Sequence, residues 1–175
     1  EASYALPMDF RLTGGVEYDE RERNTSAVRV VSTRVKTDET SYRLELRRSL
    51  SETVNGAVSF VHGNRGGSEW ITTTLNNGAV GSNLMYPMFL ADRKRDKFRG
   101  VLDWSPSEAL SFNFVVEDAK DTYTQRIVGL KDGKAQLYSV DGSYVISEKW
   151  QATAWYSRND TSSNMENCRA STTAS

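Results

Sequence analysis

The sequence predicts an all-β protein: an antiparallel transmembrane β-barrel, present here as a fragment of about 7–8 strands from a larger barrel. Three observations support this prediction. Apolar and polar side chains alternate over segment after segment, short and long connections alternate between those segments, and aromatic residues lie at the segment ends. Outer-membrane barrels combine these features because one face of every strand meets lipid while the other faces the lumen.

The alternation has a period of two, which places successive side chains on opposite faces of a strand. Arg48 on the apolar face and Trp155 on the polar face are exceptions. Bacterial single-chain barrels have an even number of strands. We therefore expect either that residues 1–5 are the end of an eighth strand or that more strands lie outside the chain. The seven alternating segments are residues 8–19, 42–50, 54–60, 97–104, 110–117, 137–146 and 150–157.

The connections predict which end of each strand faces the periplasm. Residues 1–160 are predicted to hold the transmembrane strands, with short periplasmic turns and long extracellular loops, and residues 161–175 a polar loop or tail. Strands of about 9–11 residues, tilted near 40°, would cover an apolar band of about 25 Å. The predicted short turns are Leu6-Pro7, Ser51-Glu52, Ser107-Glu108 and Ser147-Glu148, and the predicted long connections are roughly 19–39, 63–96 and 119–133.

Aromatic residues mark both predicted membrane interfaces. Trp104 and Trp150 lie beside short turns, whereas Tyr18 and Tyr156 lie toward the long loops. These are the positions of the aromatic girdles in outer-membrane barrels. The strands of a soluble β-sandwich also alternate apolar and polar residues. Such a sandwich, however, does not require long loops at one end only or charges of both signs along most polar faces.

Composition narrows the possible classes of protein. The chain has 175 residues, of which 38% are hydrophobic, and its mean hydropathy is -0.58; no stretch approaches the roughly 18 apolar residues of a membrane-spanning helix. A net charge of -1 gives no long-range field toward nucleic acid. A lone cysteine, Cys168, and a lone histidine, His62, provide neither an internal disulfide nor a histidine-based metal site.

No nucleophile–base–acid set is present, so the sequence predicts no enzyme, and no cofactor or metal bound by this chain. We interpret His62 as a polar residue at the membrane boundary. Glu117, Asp118 and Asp121 are interpreted as solvated charges near a strand end. The mixed-charge run 92–97 is compatible with either a salt-bridged loop base or a docking surface.

Several sequence runs resemble one barrel family. Residues 86–97, Tyr-Pro-Met-Phe-Leu-Ala-Asp-Arg-Lys-Arg-Asp-Lys, lead into a strand that ends in Trp104-Ser105-Pro106-Ser107-Glu108. With shorter pieces in the same order, they resemble the decahaem-associated outer-membrane barrels of the MtrB/PioB type over most of residues 6–160, in a section past the middle of a much larger barrel. The shorter pieces are at 14–19, 37–39, 63–68, 121–123, 129–130 and 141–144.

The resemblance implies a bacterial outer-membrane barrel that sheathes a periplasmic decahaem c-type cytochrome and supports electron transfer across the membrane. An outer-surface multihaem cytochrome would dock outside. The partner would carry the haem, and this chain has no Cys-x-x-Cys-His attachment site. The candidate lumen-facing partner contacts are Arg11, Glu17, Arg43, Glu45, Arg47, Lys97, Arg99, Asp103, Glu117 and Asp141.

Two other functions fit the pattern of the sequence. One is a general or substrate-specific outer-membrane porin without a haem partner, and the other is a soluble β-rich binding module. The chain is also predicted not to fold alone, because an open sheet in lipid exposes unpaired strand edges.

Overall fold

A computed structural model describes residues 1–24, 32–71, 87–124 and 129–166. They form one antiparallel sheet in which neighbouring strands are also consecutive in the chain. Within these ranges, no helix is long and apolar enough to cross a membrane. Cys168 and Tyr86 lie outside the described residues. The strands are β1 (Ala2–Ala5), β2 (Phe10–Glu22), β3 (Lys36–Ser51), β4 (Val54–Gly67), β5 (Arg93–Ser107), β6 (Leu110–Tyr123), β7 (Gly129–Ser147) and β8 (Trp150–Glu166).

The sheet is a single layer. Among the described residues each strand contacts only its neighbours in the chain, so that β1 and β8 form the two edges. The buried apolar side chains there are Leu90, Ala91, Val115 and Tyr123, whereas large apolar side chains are exposed along every strand from β2 to β8. A β-sandwich would cover one face with a second sheet. The prediction of a barrel wall is confirmed, and the sandwich alternative is wrong.

All four predicted short turns are present and lie at the same end of the sheet. The β3–β4, β5–β6 and β7–β8 connections are residues 52–53, 108–109 and 148–149, each following a serine. In the β1–β2 turn, Met8 and Asp9 have φ angles of 62° and 60°, and the Leu6 amide donates to the Phe10 carbonyl at 2.7 Å. Two consecutive positive φ angles are typical of a type I′ hairpin turn, whose twist matches that of the strands.

One face of the sheet carries an apolar band whose edge crosses the strands diagonally. On β8 the band ends at Tyr156 on the loop side. Successive cross-strand partners lead from Tyr156 to Phe10 on β2, but on β2 the band ends at Tyr18, eight residues from Phe10. Eight residues over six strand intervals, at roughly 3.3 Å per residue and 4.8 Å per strand, correspond to a tilt of about 40°. Outer-membrane barrels have this tilt. From β2 to β8 the edge residues are Tyr18, Tyr42, Phe60, Phe98, Val116, Tyr138 and Tyr156.

The periplasmic side of the band is rich in aromatic residues. Trp104 stacks on Phe112 of the next strand, with ring centroids 5.5 Å apart, and Trp150 is exposed beside its turn. Arg48, the exception on this face, places its guanidinium carbon 4.6 Å from the ring centroid of Phe10. Cation–π contact and a long aliphatic stem let this arginine lie over apolar surface near an interface.

The strands are longer than the sequence predicts. β2 has 13 residues and β7 has 19, so parts of all three predicted long connections belong to strands. β8 continues to Glu166, so residues 161–166, predicted as loop or tail, are also strand. Beyond the apolar band both faces of a strand are polar. The period of two therefore disappears from the sequence although backbone pairing continues.

Candidate functional site

The face opposite the apolar band is a polar wall, which we call the inner wall. The register places every predicted lumen-facing residue on it, since all share a face with Arg43 and its cross-strand partners. These residues are Arg11, Glu17, Arg43, Glu45, Arg47, Lys97, Arg99, Asp103, Glu117 and Asp141.

Two glutamates organise the centre of the inner wall. Glu45 on β3 forms ion pairs with Arg43 and, at 3.5 Å, with Arg47. Glu117 on β6 binds the Lys97 amine at 2.8 Å and the Arg99 guanidinium at 3.5 Å, both on β5. Each carboxylate is therefore shared by two cations, which leaves excess positive charge at both places.

The cations are more accessible than the carboxylates. The Arg47 side chain is 65% exposed, whereas that of Glu45 is 16% exposed; Arg43 and Arg99 are likewise more exposed than their glutamates. The cations and Glu45 line a groove of about 850 Å³ that crosses β2 to β5. A ligand approaching the groove meets guanidinium and ammonium donors first, and such donors bind carboxylates and phosphates strongly.

The remaining predicted residues are more dispersed. Asp103 accepts a hydrogen bond from the Asn113 side chain at 2.6 Å, and Asp141 accepts one from the Ser139 hydroxyl at 3.2 Å. Arg11 lies opposite Arg47 in the β2–β3 register, and Glu17 lines the groove. These four residues surround the central cluster and form no ion pair within the described part of the chain.

A second charged cluster lies near the loop end, and the sequence analysis anticipated only part of it, as the salt-bridged alternative for the run 92–97. Arg93 binds Glu39 at 2.8 and 3.0 Å, and Arg95 binds both carboxylate oxygens of Asp121 at 2.7 Å. Arg93 also lies 3.6 Å from Asp121, which links the two pairs. The sequence contained a pattern that indicates this cluster. Basic residues recur at every second position, which places them on one face of a strand: Arg93, Arg95, Lys97 and Arg99.

Two other arginines, Arg65 and Arg34, hold the segment 87–92 against the inner wall. Arg65 of β4 donates hydrogen bonds to the backbone carbonyls of Met88 at 2.8 Å and Ala91 at 3.0 Å. Arg34, whose side chain is 1% exposed, forms an ion pair with Asp92 and lies 4.4 Å from the Trp70 ring centroid. The segment therefore folds inward at the loop end.

Charge is unevenly distributed around the inner wall. The inward-facing positions of β5 include four basic residues, whereas Asp141 is the single charged residue among the paired inward positions of β7 and β8. Trp155, the exception on the polar face, lies on this sparsely charged part, directly opposite Asp141, and is 76% exposed. An exposed, inward-facing tryptophan is a candidate anchor for a protein partner, because tryptophan is enriched at the energetic centres of interfaces.

The structure also shows the partners of His62 and of the three carboxylates near the end of β6. His62 lies just beyond the apolar band, as expected of a boundary residue, and its Nδ1 atom is hydrogen-bonded to Asp96 Oδ1 at 2.7 Å. Glu117 and Asp121 face inward and are ion-paired, whereas Asp118 faces outward and accepts a bond from Gln136. The three carboxylates are therefore not a converging site, and two of them are not simply solvated.

The mixed-charge run 92–97 is mostly paired within the wall, in agreement with the salt-bridged alternative. In the described ranges, no three histidine, cysteine, aspartate or glutamate side chains are grouped as a metal site.

Comparison with known proteins identifies the family. The model of the outer membrane beta-barrel porin family MtrB/PioB matches residues 1–175. The chain is 30% identical over 155 residues to "Outer membrane protein MtrB" of Shewanella baltica (strain OS185), an alignment that covers 89% of this chain and 21% of that protein. The chain thus spans about a fifth of the length of this curated relative. It belongs to the MtrB/PioB family of outer-membrane β-barrels.

Proposed function

We propose that the inner wall sheathes a periplasmic decahaem c-type cytochrome, so that the barrel supports electron transfer across the outer membrane. The barrel is a non-catalytic scaffold in this proposal, and the cytochrome carries the haem. The observation that carries the proposal is the pair of shared glutamates, Glu45 and Glu117, which leave exposed cationic donors along a fixed wall. A protein with surface carboxylates would complete their ion pairs.

Three further features support a protein in the lumen. The outward apolar band would contact the lipid acyl chains, so that the barrel wall separates that protein from lipid. Trp155 offers a large apolar surface on the inner side, where neighbouring β7 and β8 positions carry little charge. The ion-paired segment 87–92 narrows the loop end, where it would limit how far a partner extends. An outer-surface multihaem cytochrome would then dock against the polar strand ends beyond the band.

The test is to isolate the intact barrel from outer membranes in mild detergent and to measure covalently bound haem in the product. The expected result is a stoichiometric haem-containing partner. Reversal of three inner-wall charges, R43E/R47E/R99E, is expected to reduce that haem at least about tenfold, because each lost charged hydrogen bond contributes roughly 1.5–3 kcal/mol.

The matched control reverses three exposed lysines on the outer face, K94E/K120E/K134E, and is expected to retain the haem partner. Folding of each variant is checked by its heat-dependent shift in electrophoretic mobility. A folded inner-wall variant that captures as much cytochrome as the unmodified barrel would contradict the proposed contacts.

The second candidate function is a general or substrate-specific porin without a haem partner. The groove of about 850 Å³ and its accessible cations favour this alternative, since they would suit a small anionic solute. A haem-free barrel, isolated from cells that express the cytochrome and conducting anions in planar bilayers, would support the porin.

A further inference from the structure

One charged side chain lies inside the apolar band, on the face of the sheet that meets lipid. On this face the band runs from Phe10 to Tyr18 on β2 and from Trp150 to Tyr156 on β8. Among the described residues of the band from β2 to β8, Arg48 of β3 is the single charged one. Arginine on the lipid face of an outer-membrane barrel is destabilising unless it lies near an interface. We therefore expect Arg48 to have a polar partner outside the wall.

The described part of the chain supplies no counter-charge to this arginine. Arg48 forms neither an ion pair nor a hydrogen bond there, and its Nε atom is buried without a hydrogen-bond partner. The contact with the Phe10 ring, at 4.6 Å, provides no acceptor in the plane of the guanidinium. Asp9 and Glu52 lie in the adjoining turns, outside the band, and neither is ion-paired with Arg48. The charge on the band is therefore uncompensated by any side chain of the same surface.

An apolar hollow of about 410 Å³ lies beside Arg48 on the outer face, over β3 to β6. Two glycines shape it, because neither Gly56 of β4 nor Gly100 of β5 carries a side chain toward lipid. Gly56 is the direct cross-strand partner of Arg48, and Gly100 is diagonal to Gly56. A methylene chain in the hollow would gain van der Waals contacts with its walls. The apolar side chains around it are Leu46, Leu50, Val58, Leu102, Phe114 and Val116.

The guanidinium of Arg48 lies at the periplasmic edge of the band. Phe10, which it contacts, is the first residue of β2 after the short β1–β2 turn. Along β3, Arg48 is two residues from Leu50, the last apolar residue of the strand. At roughly 3.3 Å per residue and a tilt near 40°, this separation is about 5 Å along the membrane normal. An arginine side chain extends that far toward the headgroups, and short turns face the periplasm.

From charge, shape and height together, we infer that Arg48 binds the phosphate of a glycerophospholipid in the periplasmic leaflet. One acyl chain of the same lipid lies in the hollow beside Gly56 and Gly100. The planar guanidinium donates two parallel hydrogen bonds to phosphate oxygens. A glycerophospholipid joins phosphate to an apolar chain, which matches an unpaired guanidinium that adjoins an apolar hollow. The inference concerns the outer face alone and does not depend on a partner in the lumen.

The test uses the intact barrel in a nonionic detergent, titrated with dioleoylphosphatidylglycerol and, separately, with dioleoylglycerol, which has the same chains and no phosphate. Native mass spectrometry measures the affinity of the first bound lipid. The phospholipid is expected to bind more tightly than dioleoylglycerol. Arg48→Gln is expected to lower the affinity for the phospholipid at least about tenfold, because charge-assisted hydrogen bonds to phosphate are lost. The affinity for dioleoylglycerol should not change in this variant.

A second variant tests the hollow without changing any charge. Gly56→Leu places an apolar side chain in the hollow and is expected to lower the affinity for both lipids. The substitution fits the strand, because a Cβ atom at Gly56 meets no atom closer than Leu50 Cδ1, at 3.5 Å. Folding of each variant is checked by its heat-dependent shift in electrophoretic mobility.

The matched control is Arg158→Gln, which removes an arginine from the outer face of β8 beyond the loop-side edge. Arg158 is already bound to Asp160 at 2.8 Å, so this variant should bind the phospholipid as the unmodified barrel does. Equal affinity of the unmodified barrel for the two lipids would overturn the inference without any variant. Unchanged affinity for the phospholipid in Arg48→Gln would also overturn it. So would tighter, Arg48-dependent binding of lipid A, because that result would assign the site to the outer leaflet.

Discussion

Arg95 and Asp121 form a bidentate ion pair between β5 and β6, in which both nitrogen–oxygen distances are 2.7 Å. The two residues are direct cross-strand partners on the inner wall. Arg93 lies 3.6 Å from the same carboxylate and also binds Glu39. This chain of contacts joins β3, β5 and β6 at the height where segment 87–92 folds inward.

Replacement of Asp121 by asparagine is expected to destabilise the barrel by about 1–3 kcal/mol, because two arginines lose their shared counter-charge and one bidentate contact. The free energy of unfolding would be measured for the intact barrel by urea titration in detergent. Asp141→Asn is the matched control, since Asp141 is exposed and accepts one hydrogen bond from a neutral hydroxyl. Equal stability of the two variants would argue against a structural role for the Arg95–Asp121 pair.

Gly67 is expected to tolerate no side chain, whereas its neighbour Gly66 should. A Cβ atom at Gly67 would lie 2.2 Å from the Lys36 carbonyl oxygen and 2.7 Å from the Arg34 guanidinium, but one at Gly66 would meet only Asp38, at 3.8 Å. Overpacking of this kind costs about 1–3 kcal/mol. In Gly67→Ala, hydrogen–deuterium exchange of residues 87–92 should accelerate because Arg34 can no longer hold Asp92.

The same exchange measurement on Gly66→Ala is the control and should resemble the unmodified barrel. Slow exchange of residues 87–92 in both variants would mean that Arg34 does not determine the position of this segment.

The sequence predicted the strands and their faces where lipid contact imposes an apolar residue at every second position, as at Phe98 and Leu102. It did not predict the strand ends, because at Lys94 and Asp96 both faces are polar and no alternation remains. The ion pair between Arg93 and Glu39 joins residues 54 positions apart, and sequence order alone does not indicate such a pair. Arg48 broke the pattern because its aromatic neighbour, Phe10, is adjacent in the sheet and distant in the chain.

The isolated 175-residue chain is expected not to fold cooperatively in water. Its apolar band would be exposed to water, and the unpaired edges of β1 and β8 would be open to pairing with other chains. All residues of β8 are exposed in the open sheet. Circular dichroism during heating, together with light scattering, would check this expectation. A monodisperse product with a sharp melting transition in water would contradict it, and the intact barrel in detergent is the positive control.

Trp150 and Trp155 lie on the same strand but on opposite faces, so the two side chains should respond differently to lipid. The intact barrel would be reconstituted in nanodiscs containing lipids brominated on the acyl chains, which quench nearby tryptophan fluorescence. Trp150→Phe is expected to remove the part of the tryptophan fluorescence that the brominated lipids quench, because Trp150 lies on the apolar face beside a periplasmic turn. Trp155→Phe should remove a component that the brominated lipids do not quench, because register pairs Trp155 with inward-facing Asp141.

If the lipids instead quench Trp155 and not Trp150, then the face of β8 assigned to the lumen faces lipid. This result would also invert the assignment of Arg43, Arg47 and Arg99 to the lumen, since the pairing from β3 to β8 links all these positions to one face. A bound cytochrome should further shield Trp155 from a water-soluble quencher such as iodide without affecting Trp150. Iodide quenching of Trp155 that is the same with and without the haem partner would argue that the partner does not contact this part of the inner wall.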